Sequence, residues 1–112
     1  MKIGQLNKKE TLAVKEFCGK MKNLLKQNLL DIRLFGSKAR GDFRKESDID
    51  ILLVLKKKSW DLIDKIYDVL IDIEIEHNSQ ISLKIYSEAE FNRIKDYETF
   101  FYKNISKEGV PL

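Results

Sequence analysis

Residues 51–55, Ile-Leu-Leu-Val-Leu, constrain the fold more than any other stretch of the chain. Successive side chains of a strand point to opposite faces of a sheet, so an unbroken apolar run needs cover on both faces. Such a run is typical of a central strand, which we predict over residues 47–55. Three lysines at 56–58 then end the strand as a solvated turn.

The spacing of apolar residues predicts the other elements around this strand. Asn7 and Glu10 form a capping-box pattern, and apolar residues recurring every three or four positions continue a helix over residues 8–27. Further strands are expected over 29–35 and 81–86, and further helices from Ser59 to about 77, from Ser87 to about 95, and over 97–105. Gly109 and Pro111 are expected to mark a frayed end.

Residues 72–76, Asp-Ile-Glu-Ile-Glu, fit two structures. Their strict alternation is a strand pattern, and such a strand would pair with residues 81–86 as a hairpin. The helical spacing of the preceding apolar residues, however, continues into this stretch without a break. We therefore predict that the helix continues through it, with the hairpin as the alternative.

Length and composition bound the class of protein. The 112 residues fit a single domain over 1–112, and 43% of them are hydrophobic, enough for a small core. The formal net charge of +3 suits an anionic ligand without requiring nucleic acid. The sequence shows neither a signal-peptide pattern nor an apolar stretch of membrane-spanning length, so the cytoplasm is the expected location.

The cysteine and histidine content limits the metals that the chain can hold. Cys18 and His77 are its one cysteine and one histidine, which excludes a Cys/His cage within one chain. Any metal is therefore expected to be a hard cation held by oxygen ligands. Cys18 lies on the apolar stripe of the first helix and is predicted to be buried in the core. His77 is expected at a helix end, where its charge is favourable.

Two carboxylates stand at the start of the central strand. Asp48 and Asp50 are two residues apart, so a strand presents both on one face while Ile49 and Ile51 point into a core. Two like charges this close repel each other. A divalent cation between them makes the arrangement favourable, and Mg²⁺ suits a site with few carboxylates because it takes its remaining ligands from water and substrate phosphates.

A Gly-Ser pair precedes these acids in the chain. Gly36 follows a predicted strand, and its missing Cβ lets a phosphate approach the backbone. Ser37 offers a hydroxyl that can cap the turn and leave backbone N–H groups for an anion. Lys38 and Arg40 add positive charge nearby. Together these four residues are predicted to form a triphosphate cradle that faces the acid pair.

These residues together resemble a known signature. Gly36-Ser37, a spacer of ten residues and then Asp48-Ile49-Asp50 look like the motif of the DNA polymerase β-like nucleotidyltransferase superfamily. The fuller string, Gly-Ser-x-Ala-Arg-Gly followed by Ser-Asp-x-Asp, is similar to its smallest members, the minimal nucleotidyltransferases. The predicted order of helix, strand, Gly-Ser loop, strand, helix and strand matches as well, so the resemblance covers nearly the whole chain.

The resemblance implies a fold and an activity. The fold is of the α+β class, a two-layer α/β arrangement with a small mixed sheet and helices packed on one face. The activity is Mg²⁺-dependent transfer, with Mn²⁺ as an alternative, of a nucleoside monophosphate from ATP or another NTP to a protein or RNA acceptor. Asp48 and Asp50 would bind the metals as catalytic residues. The nucleotide-binding positions would be Gly36, Ser37, Lys38 and Arg40, and the charge on Arg40 would also stabilise the transition state.

The resemblance also implies a partner protein. Minimal members often act beside a helical HEPN-domain protein, as the antitoxin half of a toxin–antitoxin pair, and transfer AMP onto it. The alternative partner is a second copy of the chain. Phe100, Phe101 and Tyr102 cannot all point inward, so at least one of them is expected at such an interface. Trp60 is expected to pack over the sheet edge. The positive charge is scattered, so direct nucleic-acid binding is not expected.

One position departs from the pattern of active members. They carry a third acid on the next strand, and here that strand reads Ile-Ser-Leu-Lys-Ile-Tyr over 81–86, with Ser82 at the position of the acid. A serine hydroxyl neither supplies charge for a second Mg²⁺ nor accepts a proton near neutral pH. Two hypotheses therefore stay open: a small transferase, and a catalytically weak or inactive module of the same fold that docks on a helical partner.

Overall fold

The computed structural model describes residues 6–36, 38, 48–97 and 99–112 of the chain. Within these residues a 3-10 turn, Lys26–Asn28, links the first helix to the first strand. The helices are α1 (Lys8–Leu25), α2 (Trp60–His77), α3 (Glu88–Asp96) and α4 (Phe100–Glu108), and the strands are β1 (Leu29–Phe35), β2 (Ile49–Leu55), β3 (Ile81–Ser87) and β4 (Val110–Pro111).

Side-chain caps begin the helices where the sequence predicts them. At α1 the Glu10 backbone N–H donates to Asn7 Oδ1 (2.8 Å), and the Asn7 backbone N–H donates to Glu10 Oε1 (3.1 Å). Ser87 and Glu90 form the same reciprocal pair at α3. The Ser59 hydroxyl accepts from the backbone of the first turn of α2. Each cap satisfies backbone donors that have no partner inside the helix.

The sheet is mixed, and β2 lies inside it. The strand order is β3-β2-β1-β4. Strand β2 runs parallel to β3 and antiparallel to β1, and the short β4 pairs antiparallel with β1. The parallel pairing places the first residues of β2 and β3 at the same end of the sheet, where β1 ends. This end carries the acid pair.

Both faces of β2 are covered, as its apolar run predicts. Ile49, Ile51, Leu53 and Leu55 belong to the main core, which α1 and α2 complete. Leu52 and Val54 belong to a second cluster on the opposite face, with residues of α3 and α4 and with Phe35 and Tyr86. The mixed sheet and the α+β class are confirmed. The two long helices form the layer expected on one face, and the shorter α3 and α4 add cover on the other.

The C-terminal residues differ from the prediction of a frayed end. Val110 pairs with Leu34, Pro111 pairs with Arg33, and the Leu112 backbone N–H donates to the Ile32 carbonyl at 3.0 Å. Proline has no N–H to donate, and an edge strand is the place in a sheet that tolerates this. A two-residue strand that contains a proline is too short to show any alternation.

The ambiguous stretch 72–76 is helical, which confirms the favoured alternative. Ile73 is fully buried, whereas Ile75 is 76% exposed. The strand-like alternation therefore came from one isoleucine that does not face the core.

Trp60 is 83% exposed, so the expectation that it packs over the sheet edge is wrong. Cys18 is buried as predicted, and burial raises the pKa of its thiol to about 11, opposed by the charge of Lys22.

Candidate functional site

The acid pair stands at the start of β2, on the face opposite the main core. Asp48 directly precedes β2 and is exposed, and Asp50 is its second residue and partly buried. Ile49, which separates them, is 1% exposed and belongs to the main core. Since side chains alternate along a strand, both carboxylates project away from that core.

Strand pairing sets the neighbours of Asp50. Its register partners are Phe35 in antiparallel β1 and Ser82 in parallel β3. Register partners of adjacent strands point to the same face. Asp50 therefore lies between an aromatic side chain and a hydroxyl, and Ser82 occupies the position beside it at which the resemblance leads us to expect a third acid. The sequence of β3 contains no acid.

Gly36 brings the backbone against the carboxylate of Asp50. It follows the last residue of β1 and has φ +74°, in the left-handed region that glycine adopts without strain. A Cβ built on Gly36 collides with Asp50 Oδ2 and lies 3.2 Å from Asp50 Cγ. The bend and the acid are thus in direct contact, and the contact requires a residue without a side chain.

Lys38 is not presented to solvent at this bend. It is 1% exposed, and its Nζ lies 2.9 Å from Glu10 Oε2 of α1. The structure therefore directs its ammonium group into the protein rather than outward toward a ligand. Ser37 and Arg40, the other predicted members of the cradle, lie outside the described residues.

A small cavity adjoins Gly36 and was not predicted from the sequence. Its volume is about 180 Å³, and it is lined by Phe35, Gly36, Phe101, Asn104, Ile105 and Glu108. Pockets that hold a whole ligand are larger, from about 300 Å³. The cavity can therefore receive only part of a nucleotide or acceptor. The sequence feature that bears on this cavity is the aromatic run at 100–102. Its Phe101 packs edge-on against Phe35, with ring centroids 5.5 Å apart.

His77 contacts two glutamates in the layer formed by α1 and α2. It is the last residue of α2, as expected, and its Nε2 lies 3.1 Å from Glu16 Oε2 of α1 and 3.9 Å from Glu76 Oε1. One ligand atom each from Glu16, Glu76 and His77 lies within 4.8 Å of the other two, so the three side chains could in principle hold a metal ion. The cysteine and histidine content of the sequence did not predict this group. A hydrogen bond between α1 and α2 accounts for the contact.

The aromatic residues near the C-terminus divide as expected. Phe101 packs in the second cluster, whereas Phe100 is 85% exposed. Tyr97 is exposed as well.

None of the described helices has the length and apolar character needed to cross a membrane.

Sequence comparison finds relatives along most of the chain. The family model described as "Polymerase beta, Nucleotidyltransferase" matches residues 19–112. Two Methanocaldococcus jannaschii proteins that carry the provisional name of protein adenylyltransferase are 34% identical over 103 residues and 36% identical over 100 residues. These alignments cover 92% and 88% of this chain, and 97% and 94% of the two relatives.

Structure comparison finds two similar crystal structures. One is of a provisionally assigned nucleotidyltransferase from Sulfolobus solfataricus, with 31% identity and a TM-score of 0.48 over 80% of this chain and 73% of that one. The other is of a toxin–antitoxin with AMP-PNP, with 18% identity and a TM-score of 0.57 over 87% of this chain and 70% of that one. At that identity the second likeness shows the fold alone.

Proposed function

Because the chain belongs to the polymerase beta nucleotidyltransferase family, we propose that it transfers AMP from Mg²⁺-bound ATP to a hydroxyl group of a partner protein. The observation that carries this proposal is the contact between Gly36 and Asp50 at the start of β2. In this contact a backbone bend lies directly beside a carboxylate, and we infer that the bend binds the phosphates of a nucleotide whose metal ion the carboxylate holds. The provisional name of the two relatives supports AMP as the group and protein as the acceptor class.

Asp48 and Asp50 are the proposed metal ligands. Mg²⁺ prefers carboxylate oxygens and keeps open positions for phosphate oxygens, and two carboxylates on one face of a strand, one exposed and one partly buried, fit this preference. The ion would supply a positive charge that stabilises the attacking and leaving oxygens. Mn²⁺ fits the same oxygen donors.

The nucleotide is held by the bend. In our proposal the backbone at Gly36 and the hydroxyl of Ser37 hold the triphosphate, and Arg40 offsets the charge that builds up on the transferred phosphate. The acceptor hydroxyl oxygen forms a bond to the α-phosphorus and its proton passes to solvent. The bond from that phosphorus to the oxygen that bridges it to the β-phosphate breaks, and pyrophosphate leaves. We leave Lys38 out of this set because its ammonium group is buried against Glu10.

A partner protein supplies the acceptor in this proposal. The described strands form one small sheet, and the cavity that adjoins Gly36 is smaller than pockets that hold a whole ligand. The exposed side chains of Tyr97 and Phe100 offer apolar contact area near the second cluster. The motif resemblance implies a helical partner of the HEPN type, and the alternative partner is a second copy of the chain.

The second candidate function is a docking module without transferase activity. It is favoured by one observation, which is that Ser82 stands beside Asp50 where a third carboxylate would act. Without that acid the site has no described residue on β3 that can accept a proton from the acceptor. In this case the chain binds its partner and retains at most a single Mg²⁺–nucleotide site.

Labelled ATP separates the two functions. The purified chain is mixed with Mg²⁺, the protein encoded beside it, and ATP labelled on either the α-phosphate or the γ-phosphate. Transfer of AMP labels the partner from α-labelled ATP and leaves it unlabelled from γ-labelled ATP. A stable complex that takes up no label from either nucleotide supports the docking module and contradicts the transferase.

Replacing Ser82 with aspartate is expected to raise the rate of label transfer by about tenfold or more, since a positioned general base commonly contributes at least that much. The new carboxylate would lie in register with Asp50 on the same face of the sheet. Ser82→Asn is the matched control, because it has the same size without the charge. Equal rates for the wild-type protein and Ser82→Asp would show that position 82 does not limit the reaction.

A further inference from the structure

The carboxylate of Glu10 has two partners at once. Its Oε1 accepts from the Asn7 backbone N–H at 3.1 Å and so closes the capping box of α1. Its Oε2 lies 2.9 Å from Lys38 Nζ. Glu10 is 8% exposed and Lys38 is 1% exposed, so both charges are held away from water. A capping box needs only the first of these contacts, and glutamine provides it equally well.

The second contact joins α1 to the bend that carries the candidate site. Lys38 follows Gly36 by two residues, and Gly36 lies against the Asp50 carboxylate. The chain at this bend is therefore held on one side by its contact with β2 and on the other by an ion pair to α1. A buried pair of opposite charges has a narrow range of favourable geometries, because separating the two charges away from water costs free energy.

We propose that Glu10 is a positioning residue for the site: through Lys38 it fixes the bend at Gly36, so that nucleotide affinity depends on α1 although α1 does not contact the nucleotide. The inference rests on the proposed function, because it assumes that the bend holds the triphosphate. It also gives the buried Lys38 a role that a phosphate-binding lysine would not have.

Two substitutions separate the two contacts of Glu10. Glu10→Gln keeps a side-chain oxygen for the Asn7 N–H but removes the negative charge that lies 2.9 Å from Lys38 Nζ. Asn7→Ala removes the acceptor of the Glu10 N–H and leaves the ion pair in place. We expect Glu10→Gln to weaken Mg²⁺-ATP binding by about tenfold or more, as the loss of groups that support a metal site commonly does. We expect Asn7→Ala to lower thermal stability while its ATP affinity stays within about twofold of wild type.

The measurements are titration calorimetry with Mg²⁺-ATP and amide hydrogen exchange at Gly36 and Lys38. Exchange at these two amides is expected to accelerate in Glu10→Gln and to stay at the wild-type rate in Asn7→Ala. If both variants lose affinity in proportion to their loss of stability, with equal exchange at the bend, Glu10 has a structural role only and the inference is wrong.

A double variant covers the case in which Glu10→Gln fails to fold because the buried charge of Lys38 has lost its ion pair with Glu10. Glu10→Gln combined with Lys38→Met removes both charges at similar volume, a change that folded proteins commonly tolerate. A methionine makes no directional contact, so weaker Mg²⁺-ATP binding and faster exchange at Gly36 are expected here too. Wild-type affinity and exchange in the folded double variant would overturn the inference. If the wild-type protein itself does not bind Mg²⁺-ATP, the proposed function fails. The exchange data alone then decide whether the ion pair of Glu10 and Lys38 fixes the bend at Gly36.

Discussion

Asp48→Asn and Asp50→Asn are each expected to remove the metal-dependent part of ATP binding and to lower AMP transfer by about a thousandfold. Asparagine has the shape of aspartate but no negative charge, so each variant removes one ligand charge from the proposed Mg²⁺ site. A metal ion in such a site stabilises the transition state by several kcal/mol, and each 1.36 kcal/mol corresponds to a factor of ten in rate. Calorimetry with Mg²⁺-ATP and label transfer from α-labelled ATP measure the two effects.

Asp72→Asn is the matched control for this pair. Asp72 is an exposed aspartate on α2, in the helix layer on the other face of the sheet. It undergoes the same chemical change, and we expect wild-type binding and transfer. Circular dichroism confirms that each variant is folded. Titration curves for Asp48→Asn and Asp50→Asn that match the wild-type curve would remove both residues from the site.

Gly36→Ala is expected to abolish Mg²⁺-ATP binding and to destabilise the protein by about 2 kcal/mol or more. Two causes act together. A residue with a Cβ is strained at φ +74° by about 1–2 kcal/mol, and the added methyl group collides with Asp50 Oδ2. The carboxylate can leave this collision only by moving away from the bend. Chemical denaturation and calorimetry measure the loss of stability and the loss of binding.

Gly19→Ala makes the same substitution where the structure has room. Gly19 lies within α1, and a Cβ built there meets no atom within 4 Å. Alanine in a helix is more favourable than glycine by about 0.5–1 kcal/mol, so this variant is expected to be more stable than wild type and to bind Mg²⁺-ATP normally. A Gly36→Ala protein that unfolds and binds like wild type would show that the contact with Asp50 does not constrain the site.

The framework of the site could be predicted because local rules determine it. The apolar run of β2 required cover on both faces, and the structure provides two clusters, one on each side. The capping residues Asn7, Ser59 and Ser87 act on backbone groups three positions away, so the sequence alone locates them. The sequence reasoning placed the Gly36 bend opposite the acid pair but assigned the space of its missing Cβ to a phosphate, whereas the structure places the Asp50 carboxylate there.

The parts that could not be predicted depend on contacts between distant residues. Lys38 stands in a stretch with several basic residues, and nothing in its neighbourhood indicates that Glu10, on another element, neutralises it. The cavity beside Gly36 depends on how α4 packs against β1, which no local pattern encodes. Strand β4 needs the edge of β1 as a partner, and two residues are too few for a pattern.

The exposure of Trp60 determines what an optical experiment on this protein can report. The chain has one tryptophan, and its ring is 83% exposed in the folded state. An indole that is already in water changes its emission little when the chain unfolds. Intrinsic fluorescence is therefore a poor reporter of denaturation here, whereas a blue shift on mixing with another protein would indicate that the beginning of α2 has become covered.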